Sequence, residues 1–208
     1  MISLVLASNS PRRQELLGVL GLPFSIRVVA VDEREHSGEA PAAMVARLAR
    51  AKALAVPLSP DELLIAADTT VELEGQALGK PADREEARRM LRRLRGRMHR
   101  VHTALALRQG EEVEVQVVTT RVWMRAYGEE ELADYLASGQ AQDKAGAYGI
   151  QDEPFSPVER IEGCYMNVVG LPLCHLAQGL ERRGLSISHP PPAYCRGILG
   201  TPCPVALF

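Results

Sequence analysis

Aromatic residues are scarce, at 4% of a 208-residue chain with a single tryptophan. Single-strand nucleic-acid binders stack bases on aromatic faces, so the shortage argues against that class. A large excess of either charge is absent too. The formal net charge is −2, which gives no body-wide positive field for nucleic-acid backbones or anionic membranes. No apolar run approaches the roughly 20 residues of a membrane-spanning helix. The chain opens without a positive leader, and its first apolar stretch is too short for a secretion signal, which points to the cytoplasm. Four cysteines, Cys164, Cys174, Cys195 and Cys203, show neither C-x-x-C pairing nor zinc-type histidine spacing. They read as reduced thiols, and a Cys195–Cys203 disulfide is disfavoured in that compartment. No G-x-G-x-x-G follows a strand. Residues 75–80 imitate a P-loop, but only three residues separate Gly75 from Gly79, and Pro81 stands where a magnesium-binding Ser or Thr belongs. His99 and His102, three apart in a strand-like segment, face opposite sides and make no metal pair.

What is present suits a soluble body with a real core: 46% hydrophobic and 24% charged residues. Residues 2–7 predict a buried strand, and Ser8, Asn9 and Ser10 a turn. Ser10 suits an N-cap and Pro11 the first helical position. Arg12 and Arg13 then lie in the first turn of a helix, where unpaired N–H groups and the dipole attract anions. The pattern next predicts a strand over 24–29, an acidic loop over 30–39 and a helix over 44–56 behind Pro41. A short buried strand over 63–67 ends at Asp68-Thr69-Thr70. A hairpin over 71–78 turns at Gly75-Gln76. Asp83 and Glu86 form a capping pair for a helix over 85–95. Segments 100–108 and 113–124 read as a long hairpin, 129–137 as a helix and 143–151 as a glycine-rich loop. Residues 154–162 suggest a short helical segment, 164–171 a strand-like turn and 172–183 a last helix. Residues 188–208 are proline-rich and aperiodic, and read as a tail appended to a domain over 1–187. Interleaved strands and helices around a long hairpin predict an α/β fold on a mixed sheet.

The polar residues fall in suggestive places. Asp68 closes an apolar strand, where ligands of open α/β sheets gather. Glu33 lies in the acidic loop, Lys52 on a helix, and Lys80 between Gly79 and Pro81. Singly, each is an ordinary cap or solvated charge. With Arg12 and Arg13 they make two acids and four cations near helix starts and strand ends, as a metal-assisted phosphoryl reaction requires.

Five stretches then become specific: L-A-S-N-S-P-R-R-Q-E-L-L at 6–17, A-A-D-T at 66–69, G-K-P at 79–81, D-K-A-G-A-Y-G-I-Q at 143–151 and V-V-G-L-P at 168–172. In this order and spacing, over residues 2–185, they resemble the Maf family of nucleoside triphosphate pyrophosphatases. The resemblance implies a two-lobed α/β fold, similar to inosine triphosphatases, with a long mixed sheet flanked by helices and the nucleotide in the cleft. It implies hydrolysis between the α and β phosphates with Mg²⁺ or Mn²⁺, and a homodimer. It makes Asp68 the proton acceptor, with Glu33 sharing the metal. Ser8, Arg12, Arg13, Lys52 and Lys80 match further polar site positions. Arg12, Thr69 and Gln151 match the positions that separate family branches, and the trio resembles the dTTP and UTP branch. An amide both donates and accepts, so Gln151 suits the carbonyl and N–H edge of uracil or thymine. The rival expectations are a pyrophosphatase for modified or purine nucleotides, and a non-catalytic nucleotide-binding regulator of septum formation.

Overall fold

A computed structural model describes residues 2–199. Strands β1 (Ser3–Leu6), β2 (Phe24–Ile26), β3 (Glu62–Leu73), β4 (Gln76–Leu78), β5 (Met98–Gln109), β6 (Glu112–Met124) and β7 (Val158–Glu162) form one seven-stranded sheet. Its order is β2-β1-β3-β5-β6-β7, with β4 paired to β3. β1 runs parallel to β2 and β3, and every other pairing is antiparallel. The expected mixed sheet flanked by helices is therefore present.

Side-chain alternation sorts the core. On one face, Val5, Ala7, Leu64, Ala66, Ala104 and Ala106 meet helix α2 (Pro41–Ala55) through Val45, Ala49 and Ala53. Small residues on the strands let the helix lie close. On the other face, Leu4, Leu6, Leu63, Ile65 and Leu105 pack under α1 (Pro11–Gly18), α5 (Tyr165–Val169) and α6 (Leu173–Glu181). Farther along that face, Val71, Leu73, Val101, Val122 and Met124 pack under α3 (Arg84–Leu94) and α4 (Glu129–Ala137). A polar seam parts these two cores. Thr69 and Thr103 share a hydrogen bond of 2.9 Å, Thr103 donates to the Asn167 carbonyl, and the Asn167 amide donates to Thr120 at 2.9 Å and to the Val101 carbonyl at 3.0 Å. The two ends of the long strands thus carry separate cores, with a polar waist between them.

Several expectations need correction. β3 does not stop at Ala67 but continues through Asp68 to Leu73. Its polar stretch marks a change of neighbours, not of conformation. The tight turn of the β3–β4 hairpin is Glu74-Gly75, one residue earlier than expected, with both residues at positive φ. That is the backbone a two-residue hairpin requires. The segment beginning at Pro154 contains the edge strand β7 instead of a helix: Val158 and Ile161 are three apart, and a register shift in the pairing with β6 sets them opposite Met124 and Val122. The Y-M-N-V-V stretch forms a one-turn helix instead of a strand. Gly170, at φ 119°, ends it by returning its N–H to the Met166 carbonyl, so the β-branched pair was outweighed by packing and a cap. The supposed tail carries helix α7 (Pro191–Leu199), which buries Cys195 and lays Tyr194 against the first core. Cys203, the other cysteine of the disfavoured Cys195–Cys203 pairing, lies outside the described residues. Among the described residues no helix is long and apolar enough to cross a membrane.

Candidate active site

The site arises where β3 changes partners. β1 accompanies β3 only as far as Ile65, and the chain leaves the sheet after the Ala7 N–H has met the Ile65 carbonyl. β4 joins the same edge only from Val71. Asp68, Thr69 and Thr70 therefore line a gap in an otherwise paired edge. The departing chain turns at Ser8-Asn9-Ser10, with the Ser10 N–H donating to the Ser8 hydroxyl at 3.2 Å. Ser10 then caps α1 by accepting from the Arg13 N–H at 3.5 Å. The helix start consequently faces the gap.

Asp68 points to the α2 side and meets Lys52 from that helix, Nζ to Oδ1 at 2.6 Å. The same ammonium lies 2.7 Å from Glu33 Oε1. Asp68 and Lys52 are only 13% and 16% exposed, whereas Glu33 is 61% exposed. The pair at the floor is thus dry and Glu33 reaches in from the rim. Burial raises the Asp68 pKa, the Lys52 and Arg13 charges oppose that rise, and the net shift is upward.

Arg13 and Arg12 have different employments. The Arg13 guanidinium donates to the Gly170 carbonyl at 2.9 Å, the Ala67 carbonyl at 2.8 Å, the Thr69 hydroxyl at 3.0 Å and the Ser8 hydroxyl at 3.5 Å. Desolvation by burial lowers its pKa, with the Asp68 charge acting the other way. Arg13 thereby binds α1 to β3 and to the end of α5. Arg12 faces across the cleft instead. Its guanidinium donates to the Asp143 carboxylate at 2.6 Å and to the Asp143 carbonyl at 3.2 Å.

The glycine-rich segment forms the opposite wall. A short 3₁₀ turn, Ala145–Ala147, follows Lys144, and Gly146 stands at φ 70°. A Cβ there would sit 2.9 Å from Val71, so glycine is required by both conformation and contact. The Gly146 N–H donates to the Gly79 carbonyl at 3.0 Å, which fastens this wall to the turn that carries Lys80.

These walls enclose a cleft of about 690 Å³. Ser8, Arg12, Arg13, Glu33, Lys52, Asp68, Thr69, Lys80 and Gln151 all line it. All nine residues singled out in the sequence are therefore brought together. Asp143, Lys144 and Thr103 were not singled out. The first two stood in the D-K-A-G-A-Y-G-I-Q stretch, where an acid beside a lysine was the available signal. Thr103 gave none, because only strand pairing sets it opposite Thr69. The histidines are occupied elsewhere: His99 Nε2 with the Tyr148 hydroxyl at 2.6 Å, and His102 between Thr119 and Glu72. Among the described residues no cluster of three His, Cys, Asp or Glu side chains could hold a metal unaided. Two carboxylates converging on one cationic nitrogen still fit Mg²⁺, which takes one or two protein carboxylates and completes its shell with phosphate oxygens and water.

The family described as Maf-like protein matches residues 3–183. A dTTP/UTP pyrophosphatase of Pelotomaculum thermopropionicum is 47% identical over 190 residues, spanning 90% of this chain and 100% of that protein. One from Myxococcus xanthus is 50% identical over 185 residues, spanning 88% of this chain and 94% of that protein. A solved nucleoside-triphosphatase, a dITP/XTP pyrophosphatase from Mycobacterium abscessus, aligns with a TM-score of 0.42 at 13% identity, over 96% of this chain and 100% of that one.

Proposed function

Since this chain belongs to the Maf-like protein family, we propose that it hydrolyses dTTP and UTP to the monophosphate and pyrophosphate. The observation that carries the proposal is the floor of the cleft. A largely buried acid of raised pKa, Asp68, faces Lys52 and Glu33 in a hollow large enough for a nucleotide. The names of the relatives support the same substrates.

Water must attack the α-phosphorus while pyrophosphate leaves, so negative charge builds on both sides of the reacting centre. Asp68 takes the proton of the attacking water. Its raised pKa makes it a better acceptor than a solvated carboxylate, and it lies in a site where electrostatic attraction is less screened. Lys52 orients that carboxylate and supplies positive charge at the floor. Lys80 and Arg12 meet the phosphates from the rim, with Arg12 exchanging Asp143 for a phosphate oxygen. Arg13 adds positive charge from within the wall while holding Ser8, Ala67 and Thr69 in register. Glu33 and Asp68 are the groups that would hold Mg²⁺ or Mn²⁺. The ion, when bound, would neutralise charge on the phosphates. Gln151 meets the polar edge of the pyrimidine ring. A cytoplasmic homodimer is the assembly and compartment that accompany this reading.

A panel of nucleotides with pyrophosphate detection, run in Mg²⁺ and in Mn²⁺, tests the proposal. Pyrophosphate release fastest from dTTP and UTP is expected. Faster release from purine or modified nucleotides would contradict the substrate, and tight binding without release would indicate a regulator.

A further inference from the structure

The glycine-rich wall ends in a side chain that the proposed reaction leaves unused. Asp152 is 8% exposed and directly follows the exposed Gln151. A carboxylate taken out of water must be matched by donors. Here a single oxygen, Oδ2, collects three. The Tyr135 hydroxyl on α4 donates at 2.6 Å, the Gly149 N–H donates at 3.0 Å, and Lys144 Nζ lies 3.1 Å away. The backbone adds two bonds. The Asp152 N–H donates to the Gly149 carbonyl at 3.2 Å, and the Ser156 N–H donates to the Asp152 carbonyl at 2.8 Å.

Residues 149–152 therefore make a four-residue turn that Asp152 closes twice, once with its backbone and once with its carboxylate. Gln151 is the third residue of that turn. Gly149 is part of the device, because a Cβ there would stand 2.5 Å from Asp152 Oδ1. Only glycine lets the carboxylate approach so closely. Tyr135 is held from behind by Phe155, their rings stacked with centroids 4.2 Å apart. The hydroxyl that receives Asp152 is thus fixed before any ligand arrives.

We infer that Asp152 is a positioning residue that sets the aim of Gln151, and through it the preference for pyrimidine bases. The inference rests on the dTTP and UTP reading above. An exposed glutamine on a free turn must be ordered by the ligand, at the expense of affinity. One on a turn closed by a buried anchor is ordered beforehand. Asp68 and Lys52 stand on other elements, β3 and α2, so loosening the turn leaves proton transfer intact. The consequence falls on KM and base preference, and kcat is spared.

The test uses the full chain. Hydrogen exchange at Gly149 without nucleotide reports the anchor, and steady-state kinetics with dTTP, UTP and ATP report its effect. In Asp152→Ala, protection at Gly149 is lost, KM for dTTP rises about tenfold and preference for dTTP over ATP narrows by a similar factor, with kcat within about twofold. Asp152→Asn keeps an acceptor oxygen and recovers most of the wild-type KM. Tyr135→Phe removes one donor and moves KM in the same direction by less, which keeps the test open should Asp152→Ala fold poorly. Lost protection with unchanged KM and preference would overturn the inference, as would an equal fall in kcat for every nucleotide. Unchanged exchange at Gly149 in Asp152→Ala would remove the anchor itself. Failure of the wild-type chain to act on pyrimidine nucleotides would instead count against the proposed function.

Discussion

Two neighbouring arginines show how little residue type says about employment. In the sequence, Arg12 and Arg13 are an undifferentiated pair at a helix start. In the fold, Arg13 is turned inward and its donors meet protein acceptors on β3 and at the end of α5, while Arg12 stays at the rim. The difference follows from helical geometry, since successive residues project about 100° apart. Arg13→Lys keeps the charge but not the fan of donors. Arg13→Lys is expected to lower unfolding free energy by roughly 2–3 kcal/mol, with Arg12→Lys near neutral, in urea titrations. Equal small effects would mean that the Arg13 contacts do not stabilise the fold. His99 gives a second prediction. Burial holds its pKa down at about 4, against 6.5 for a solvated imidazole. Its stabilising contribution is therefore complete above pH 6.5 and is lost as pH falls toward about 4, because the unfolded chain gains the proton first. Across that window His99→Gln should show a flatter decline in stability than wild type, the difference growing to roughly 3 kcal/mol. Parallel curves would refute it.

At the scale of elements, the sequence was informative wherever pattern and cap agreed. Ser10-Pro11 opens α1 and Asp83 caps α3 as expected, the Asp83 carboxylate accepting from the Glu86 N–H at 2.7 Å. It was misleading where a polar break carried a site instead of a boundary. Asp68-Thr69-Thr70 looked like a strand end because strands buried on both faces are apolar. β3 in fact runs on, and only its neighbours change. The Y-M-N-V-V helix and β7 were obscured for a related reason: five-residue elements have too few periods to declare themselves. The nine cleft-lining residues were picked out partly by their place at helix starts and strand ends and partly by the family resemblance, whereas the contacts of Asp143, Lys144 and Asp152 arise only in the fold. The glycine-rich wall offers an element-scale test. Gly146→Ala puts a methyl against Val71 at a left-handed position. It should cost roughly 1–3 kcal/mol in denaturant titrations and raise KM for dTTP by displacing the wall. Wild-type stability and KM would show that the wall accommodates the change.

At the scale of the molecule, a mildly acidic body holds a local cluster of positive charge in one cleft. Charge at the rim is screened over about 8 Å at physiological salt, while the Asp68–Lys52 floor is shielded from solvent. Raising sodium chloride from about 50 to about 500 mM should therefore increase KM for dTTP several-fold with little change in kcat. Lys80→Gln should flatten that dependence. The two end cores and the threonine–asparagine waist place the floor of the cleft on a paired sheet, so its geometry does not depend on loop order. The most direct measurement is pyrophosphate release from dTTP by Asp68→Asn beside wild type, with calorimetric binding of dTTP as the companion readout. The account predicts a loss of roughly 10²–10⁴ in kcat with the nucleotide still bound and the fold retained. Near-wild-type turnover by Asp68→Asn would contradict it.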